Sequence, residues 1–237
     1  MTLPLSGSVA LVTGASRGLG AAVAIELARL GAHCVLTART QGGLEETDDA
    51  IRAAGGSATL VPLDLTTAKD EFDYIGPSIV ERFGRLDIFV HAAAVLSRLT
   101  PVSHIVPRDW DQSVAVNMTA LYRLIRSVEP PLRAAPAGRA VVVTDAVAEE
   151  PSAYWGLYSA AKAGAAHMTR VWAKDAAQSD LRINLAEPPP MATATRKVAF
   201  PGQNPAELTQ PAQVAPLLAA LCLPAETRHG ETIRLQP

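Results

Sequence analysis

Cysteine, aromatic side chains and charge of one dominant sign are all scarce in this sequence. Its 2 cysteines, Cys34 and Cys222, form no CxxC pair and are too few for a disulfide framework. So few thiols in a chain of 237 residues point to a reducing, cytoplasmic compartment. Aromatics make up 5% of the residues, so the core has to be aliphatic and alanine-rich. Lys and Arg total 21 against 23 Asp and Glu, a net charge of −2. Without a basic block there is no counterion-release case for nucleic acid. No uninterrupted apolar run approaches the roughly 20 residues of a membrane span. Met1 to Ser8 lacks a basic segment followed by an apolar one, so neither a signal peptide nor a membrane association is expected. The histidines His33, His91, His104, His167 and His229 form no HxxxH and no cluster with cysteine, which argues against a metal site.

What the sequence does have is a rhythm. Short β-rich runs begin at Val9 and continue as Cys34–Thr37, Ala58–Val61, Leu86–Val90, Ala140–Thr144, Leu181–Ala186 and Glu231–Leu235. Between them lie segments of helical spacing near residues 18–30, 43–54, 68–83, 107–116, 119–133, 156–177 and 211–221. Strands that are nearly all apolar, alternating with helices, predict a parallel sheet covered on both faces. No linker divides residues 1–237, so one domain is expected. Residues 187–210, rich in Pro, Ala and Thr, are too long for an ordinary connection and are read as a lid or loop.

Two constellations carry chemistry. The first is Gly14, Ser16, Arg17, Gly18, Leu19 and Gly20, between the first strand and the first helix. Glycines there allow a tight turn and close approach of a ligand, and the helix start offers free N–H groups to a pyrophosphate. The second is Tyr158 and Lys162, four apart on one face of a helix. An ammonium near a phenol lowers the phenol's pKa, so the tyrosine can exchange a proton near neutral pH.

The spacing Thr-Gly-x-x-x-Gly-x-Gly, together with Tyr-x-x-x-Lys, resembles the short-chain dehydrogenase/reductase family over essentially the whole chain. It looks most like the little-characterised bacterial oxidoreductases of that family. The resemblance implies a three-layer doubly wound α/β fold of Rossmann type with a seven-stranded parallel sheet. It implies a nicotinamide cofactor, with Tyr158 as general acid/base and Lys162 also holding the nicotinamide ribose. Asn117 falls where the family holds a water for a proton relay; a buried structural Asn is the alternative. Ala38 stands where an acidic residue would hold a ribose 2′-OH, and Arg17 and Arg39 suit a 2′-phosphate. This implies NADP(H) in preference to NAD(H), unless both arginines are merely solvated. Asp64, followed by Leu65, matches the adenine-contacting aspartate, or is a turn residue. The implied partners are a small carbonyl or alcohol substrate and further copies of this chain, as a homodimer or homotetramer.

The departures from the family pattern are specific. Thirteen residues before Tyr158, where the family has a catalytic serine, the sequence has Asp145. A serine hydroxyl donates to the substrate oxygen, whereas a carboxylate only accepts. Losing one such donor typically slows the reaction by roughly 10²–10³. An ionised Asp145 also opposes tyrosinate and is placed to pair with Lys162; a protonated one could donate as serine does. Asn-Asn-Ala-Gly is replaced by His91-Ala92-Ala93-Ala94, which adds a methyl at the cofactor wall, and His91 reads as a packed structural residue. Pro-Gly is replaced by Pro188-Pro189-Pro190, which removes N–H donors. Thr193 stands where the family's threonine meets the carboxamide. Trp155 either lines the substrate mouth or packs in the core. Two functions follow: an NADP(H)-dependent carbonyl/alcohol oxidoreductase, or a weakly active or non-catalytic nucleotide-binding protein that keeps the fold.

Overall fold

A computed structural model describes residues 2–237. Seven strands form one parallel sheet: β1 (Val9–Thr13), β2 (His33–Ala38), β3 (Ser57–Pro62), β4 (Ile88–His91), β5 (Arg139–Val143), β6 (Arg182–Glu187) and β7 (Thr232–Arg234). Their order across the sheet is β3-β2-β1-β4-β5-β6-β7. The chain winds outward from β1 to β3, then crosses back to β4 and winds the other way. This reversal opens a crevice beyond the carboxyl ends of β1 and β4, where such sheets bind ligands.

Strand alternation divides the core in two. Val9 and Leu11 face one side of the sheet, and Ala10 and Val12 the other. The first side is covered by α3 (Glu71–Phe83), α5 (Ala120–Ala134) and α6 (Gly156–Asp175), with Leu121, Leu124 and Phe89 fully buried. The second is covered by α1 (Gly18–Arg29), α2 (Gln41–Ala53) and α8 (Pro211–Ala220), with Val23, Leu27 and Leu218 fully buried. Asp87 locks the floor of the sheet. Its carboxylate accepts from the Val9 backbone N–H at 2.9 Å and from Arg85 at 2.6 and 2.8 Å.

The three-layer, doubly wound architecture is the expected one, and most element ends fall within one to three residues of the expectation. Two segments differ. The helices expected near 107–116 and 119–133 form one run: α4 (Pro107–Val114) passes through a π-helical turn, Ala115–Thr119, into α5. No breaker separates them, and the wider turn absorbs the change of phase. Residues 187–210 are also not structureless, because they contain α7 (Ala194–Ala199) and a short 3₁₀ turn, Pro205–Glu207. Thr193 caps α7 by accepting from the Arg196 N–H at 3.2 Å. An isolated parallel bridge between Met191 and Thr209 ties the two ends of this segment together.

Candidate active site

A cleft of about 740 Å³ lies beyond the carboxyl ends of the central strands. Its volume suits a cofactor and a small substrate together. One end is built by the β1–α1 turn, where Gly14, Ser16, Arg17, Gly18, Leu19 and Gly20 all reach the wall. Gly14 has φ +67°, and a Cβ there would sit 2.8 Å from the backbone of Ala93. The turn closes only because that atom is missing. The start of α1 carries no side-chain cap and no acidic residue, so its N–H groups stay open to an anion. Arg17 and Arg39 are exposed on this wall, and neither has a carboxylate within salt-bridge distance among the described residues. Ala38, Leu65, Ala92, Ala93, Ala94, Pro188 and Thr193 complete the cofactor-sized part. A pyrophosphate cradle without side-chain bulk, flanked by two unpaired guanidinium groups, fits a phosphorylated dinucleotide.

The other end holds Asp145, Trp155, Tyr158 and Lys162. The i,i+4 spacing on α6 turns Tyr158 and Lys162 to the same side, and both are buried at 5% exposure. The Lys162 ammonium lies 5.9 Å from the centre of the Tyr158 ring. Its Nζ donates to the Val143 carbonyl at 2.9 Å. The pairing with Lys162 that an ionised Asp145 could make is not present, and Lys162 makes no salt bridge among the described residues. Asp145 follows the end of β5 and turns back on its own chain, with Oδ1 accepting from the Val147 N–H at 3.2 Å. Burial, reinforced by the charge of Asp145, holds the Tyr158 phenol well above its ordinary pKa. Burial pushes Lys162 down to about 8, against the opposing pull of Asp145. Thr144, the neighbouring hydroxyl, does not take the missing serine's place. Its Oγ1 is buried without a partner.

Asn117 and Asp64 stand off the cleft wall. Asn117 lies in the π-helical turn, and its side chain is committed to the loop after β4. It accepts from the Val95 N–H at 2.9 Å and donates to the Val95 carbonyl at 2.8 Å and to Ser113 Oγ at 3.0 Å. It shares a small void with His91, Thr144 and Lys162. Asp64 closes a turn by accepting from the N–H and hydroxyl of Thr66 at 2.9 and 2.6 Å, while its neighbours Leu63 and Leu65 reach the wall. His91 is buried, with Nδ1 3.0 Å from Thr13 Oγ1, which also accepts the Ala93 N–H at 3.2 Å. It joins the ends of β1 and β4 beneath the cofactor wall.

The structure adds residues that the sequence reading passed over. Leu96, Ser152, Met191, Arg196 and Phe200 also line the cleft. Trp155 lies 5.9 Å from Tyr158 and 6.2 Å from Phe200, ring centre to ring centre, and resolves as a cleft residue. Phe200 is the sole aromatic in residues 187–210, and that isolation was a readable signal.

The family model for short chain dehydrogenase matches residues 8–204. This chain therefore belongs to the short chain dehydrogenase family of oxidoreductases, which work with a nicotinamide cofactor. It is similar to the oxidoreductase YciK of Escherichia coli K12, with 34% identity over 236 residues that span 98% of this chain and 93% of YciK. It is 30% identical to the 3-oxoacyl-acyl-carrier-protein reductase FabG of Vibrio cholerae, over 98% of this chain and 96% of that one. A short chain dehydrogenase of Shigella flexneri 2a, solved with NADP, superposes with a TM-score of 0.95 at 32% identity, each chain covered in full. One from Escherichia coli CFT073, solved with NADPH, gives 0.93 at 31%, again over both chains in full.

Proposed function

We propose that this protein is an NADP(H)-dependent oxidoreductase whose site runs from the β1–α1 turn to Tyr158 and Lys162, within one domain. The observation that carries this reading is that a single cleft unites the glycine turn with a buried Tyr–Lys pair on one helix face. Gly14, Ser16, Gly18, Leu19 and Gly20 would hold the pyrophosphate, and Arg17 and Arg39 the 2′-phosphate. Leu65, Ala92, Ala93 and Ala94 would wall the adenosine and ribose, and Pro188 and Thr193 the nicotinamide. The NADP and NADPH bound by the two solved relatives support the choice of coenzyme. When bound, the cofactor supplies or accepts a hydride at the nicotinamide ring. Tyr158 exchanges the proton at the substrate oxygen, and the charge of Lys162 favours the phenolate. Asn117, with its amide taken up by Val95, positions the wall behind Lys162. Trp155 and the exposed Phe200 would flank the substrate beside Tyr158.

Two further parts of the proposal concern setting. Cys34 and Cys222 are both buried free thiols, pushed up to about 12 by burial, which suits a reducing cytoplasm. Trp110, Met118 and Tyr122 are exposed along the α4–α5 run, and an apolar helix face of this kind supports a homodimer or homotetramer.

A second reading, a nucleotide-binding protein with little turnover, is favoured by one observation: Asp145 opposes ionisation of Tyr158 and offers no donor. A coenzyme titration and a carbonyl panel test both. The enzyme reading expects tight NADPH binding, weaker NADH binding, and carbonyl turnover that disappears in Tyr158→Phe. Equal affinity for the two coenzymes sinks the coenzyme assignment. Binding without turnover on any substrate leaves the second reading.

A further inference from the structure

Asp145 is a half-buried carboxylate on the cleft wall without a salt-bridge partner among the described residues. It lines the cleft that Trp155, Tyr158 and the exposed Phe200 also line, and no cation lies within 4.0 Å of it among the described residues. The nearest candidate, Lys162, is turned to the Val143 carbonyl at 2.9 Å. Arg196, also on the wall, is stacked on Phe200 with its guanidinium carbon 3.9 Å from the ring centre, and its Nε is bonded to Gln203 at 2.7 Å. Oδ1 accepts one backbone N–H, which fixes the carboxylate's direction without cancelling its charge. A carboxylate in a cleft that also presents aromatic side chains is suited to receive a cation.

The charge flow of the reaction sharpens this. A carbonyl gains negative charge on oxygen as hydride arrives, and an adjacent carboxylate opposes it. An iminium ion starts positive and ends neutral. Beside a carboxylate, a carbon–nitrogen double bond also holds its proton more firmly, so more of it is in the electrophilic form. Resting on the oxidoreductase reading above, we propose that Asp145 selects a substrate carrying a carbon–nitrogen double bond as an iminium cation, and its amine product, over a ketone and its alcohol. The iminium carbon receives the hydride with both electrons, and the π pair of the double bond moves onto nitrogen. The cation is discharged to a neutral amine while the reduced nicotinamide is oxidised. No proton is taken from Tyr158, so its raised pKa does not obstruct the step. A neutral imine draws its proton from solvent as it pairs with Asp145.

The test compares wild type, Asp145→Asn and Asp145→Ser. Asparagine keeps the acceptor for the Val147 N–H and so preserves the fold of the turn. Tryptophan fluorescence titration measures NADPH, and then tetrahydroisoquinoline and tetralol as a cationic and a neutral ligand of like size, with the coenzyme present. Wild type is expected to bind the amine roughly tenfold tighter than the alcohol, with that preference lost in Asp145→Asn at unchanged NADPH affinity. Turnover should follow: dihydroisoquinolinium is reduced faster than tetralone by wild type, and the order is reversed in Asp145→Ser. Equal amine affinity in wild type and Asp145→Asn overturns the proposal, as does faster reduction of tetralone by wild type. If NADPH binds and Asp145→Ser reduces tetralone, such a result removes the substrate class alone and leaves the oxidoreductase reading standing. No NADPH binding by wild type removes both.

Discussion

The Lys162 ammonium donates to the carbonyl of Val143, the last residue of β5, at 2.9 Å. That bond uses one of its three protons, and the cation forms no salt bridge with Asp145, two residues further along, although it feels that charge. Burial, with the charge of Asp145 added to it, raises the phenol's pKa, and burial lowers the ammonium to about 8 against the pull of the same carboxylate.

Replacing Asp145 with serine should therefore shift the pH dependence of alcohol oxidation. Oxidation needs tyrosinate, and a neighbouring anion postpones its formation to higher pH. Removing that anion lowers the phenol's pKa, so the alkaline rise begins at lower pH. At an effective dielectric near 20, charges about 4–5 Å apart interact by about 3–4 kcal/mol, which corresponds to roughly two to three pH units. Rate–pH profiles of the two proteins check this, and coincident profiles would show that Asp145 has no electrostatic hold on Tyr158.

Arg17 and Arg39 should sort the coenzymes. Each is exposed at the cleft wall without a carboxylate partner, so truncation leaves no buried charge behind. Arg39→Ala is expected to weaken NADPH binding about ten- to hundredfold and to leave NADH almost unchanged, since a charge-assisted bond to phosphate contributes about 1.5–3 kcal/mol. Equilibrium titration with both coenzymes reads the ratio. A parallel loss for NADH would move Arg39 from the 2′-phosphate to a shared part of the cofactor.

How much of this was legible in the sequence depended on how local the signal was. The strands were legible because burial on both faces leaves runs such as Val9–Thr13 with hardly a polar atom. Gly14, Gly18 and Gly20 announced the turn, because Gly14 has to pass the Ala93 backbone, Gly18 takes a positive φ and Gly20 lies against the Gly14 carbonyl. Tyr158 and Lys162 were legible from their helical spacing. Where Lys162 points was not, because the competing acceptor is a backbone carbonyl, and every residue has one. The continuous α4–α5 run was missed since a π turn carries no residue signature. The cleft position of Arg196 and Phe200 depends on the folding of α7 inside a Pro-rich stretch whose composition reads as loop.

Asp87 should prove a stability residue without a part in the chemistry. It accepts from the Val9 N–H and from Arg85 at the far end of the sheet from the cleft. Asp87→Ala strands a buried backbone donor, a loss of about 1–3 kcal/mol. Urea unfolding should show the drop, with coenzyme affinity unchanged in the folded protein. A loss of affinity at full stability would contradict this placement.

His91 offers a pH dependence whose sign is fixed. Burial, with a further push from Lys162, lowers its pKa to about 3, against about 6.5 in the unfolded chain. Between those values the unfolded chain binds a proton that the folded protein refuses. Stability therefore falls as pH drops below about 6.5, by up to roughly 1.4 kcal/mol per pH unit from this one group. His33, whose pKa is lowered by partial burial, and the carboxylates of Asp64 and Glu226, lowered by hydrogen bonds that outweigh their burial, add acid sensitivity of the same sign. These contributions are common to wild type and to His91→Asn, which keeps a polar partner for Thr13. The difference between the two proteins isolates His91. From pH 6.5 to 5 wild type should lose about 2 kcal/mol more than His91→Asn in urea unfolding. Equal losses would mean that His91 takes up its proton in the folded protein, and that its Nε2, buried without a partner, finds an acceptor when it does.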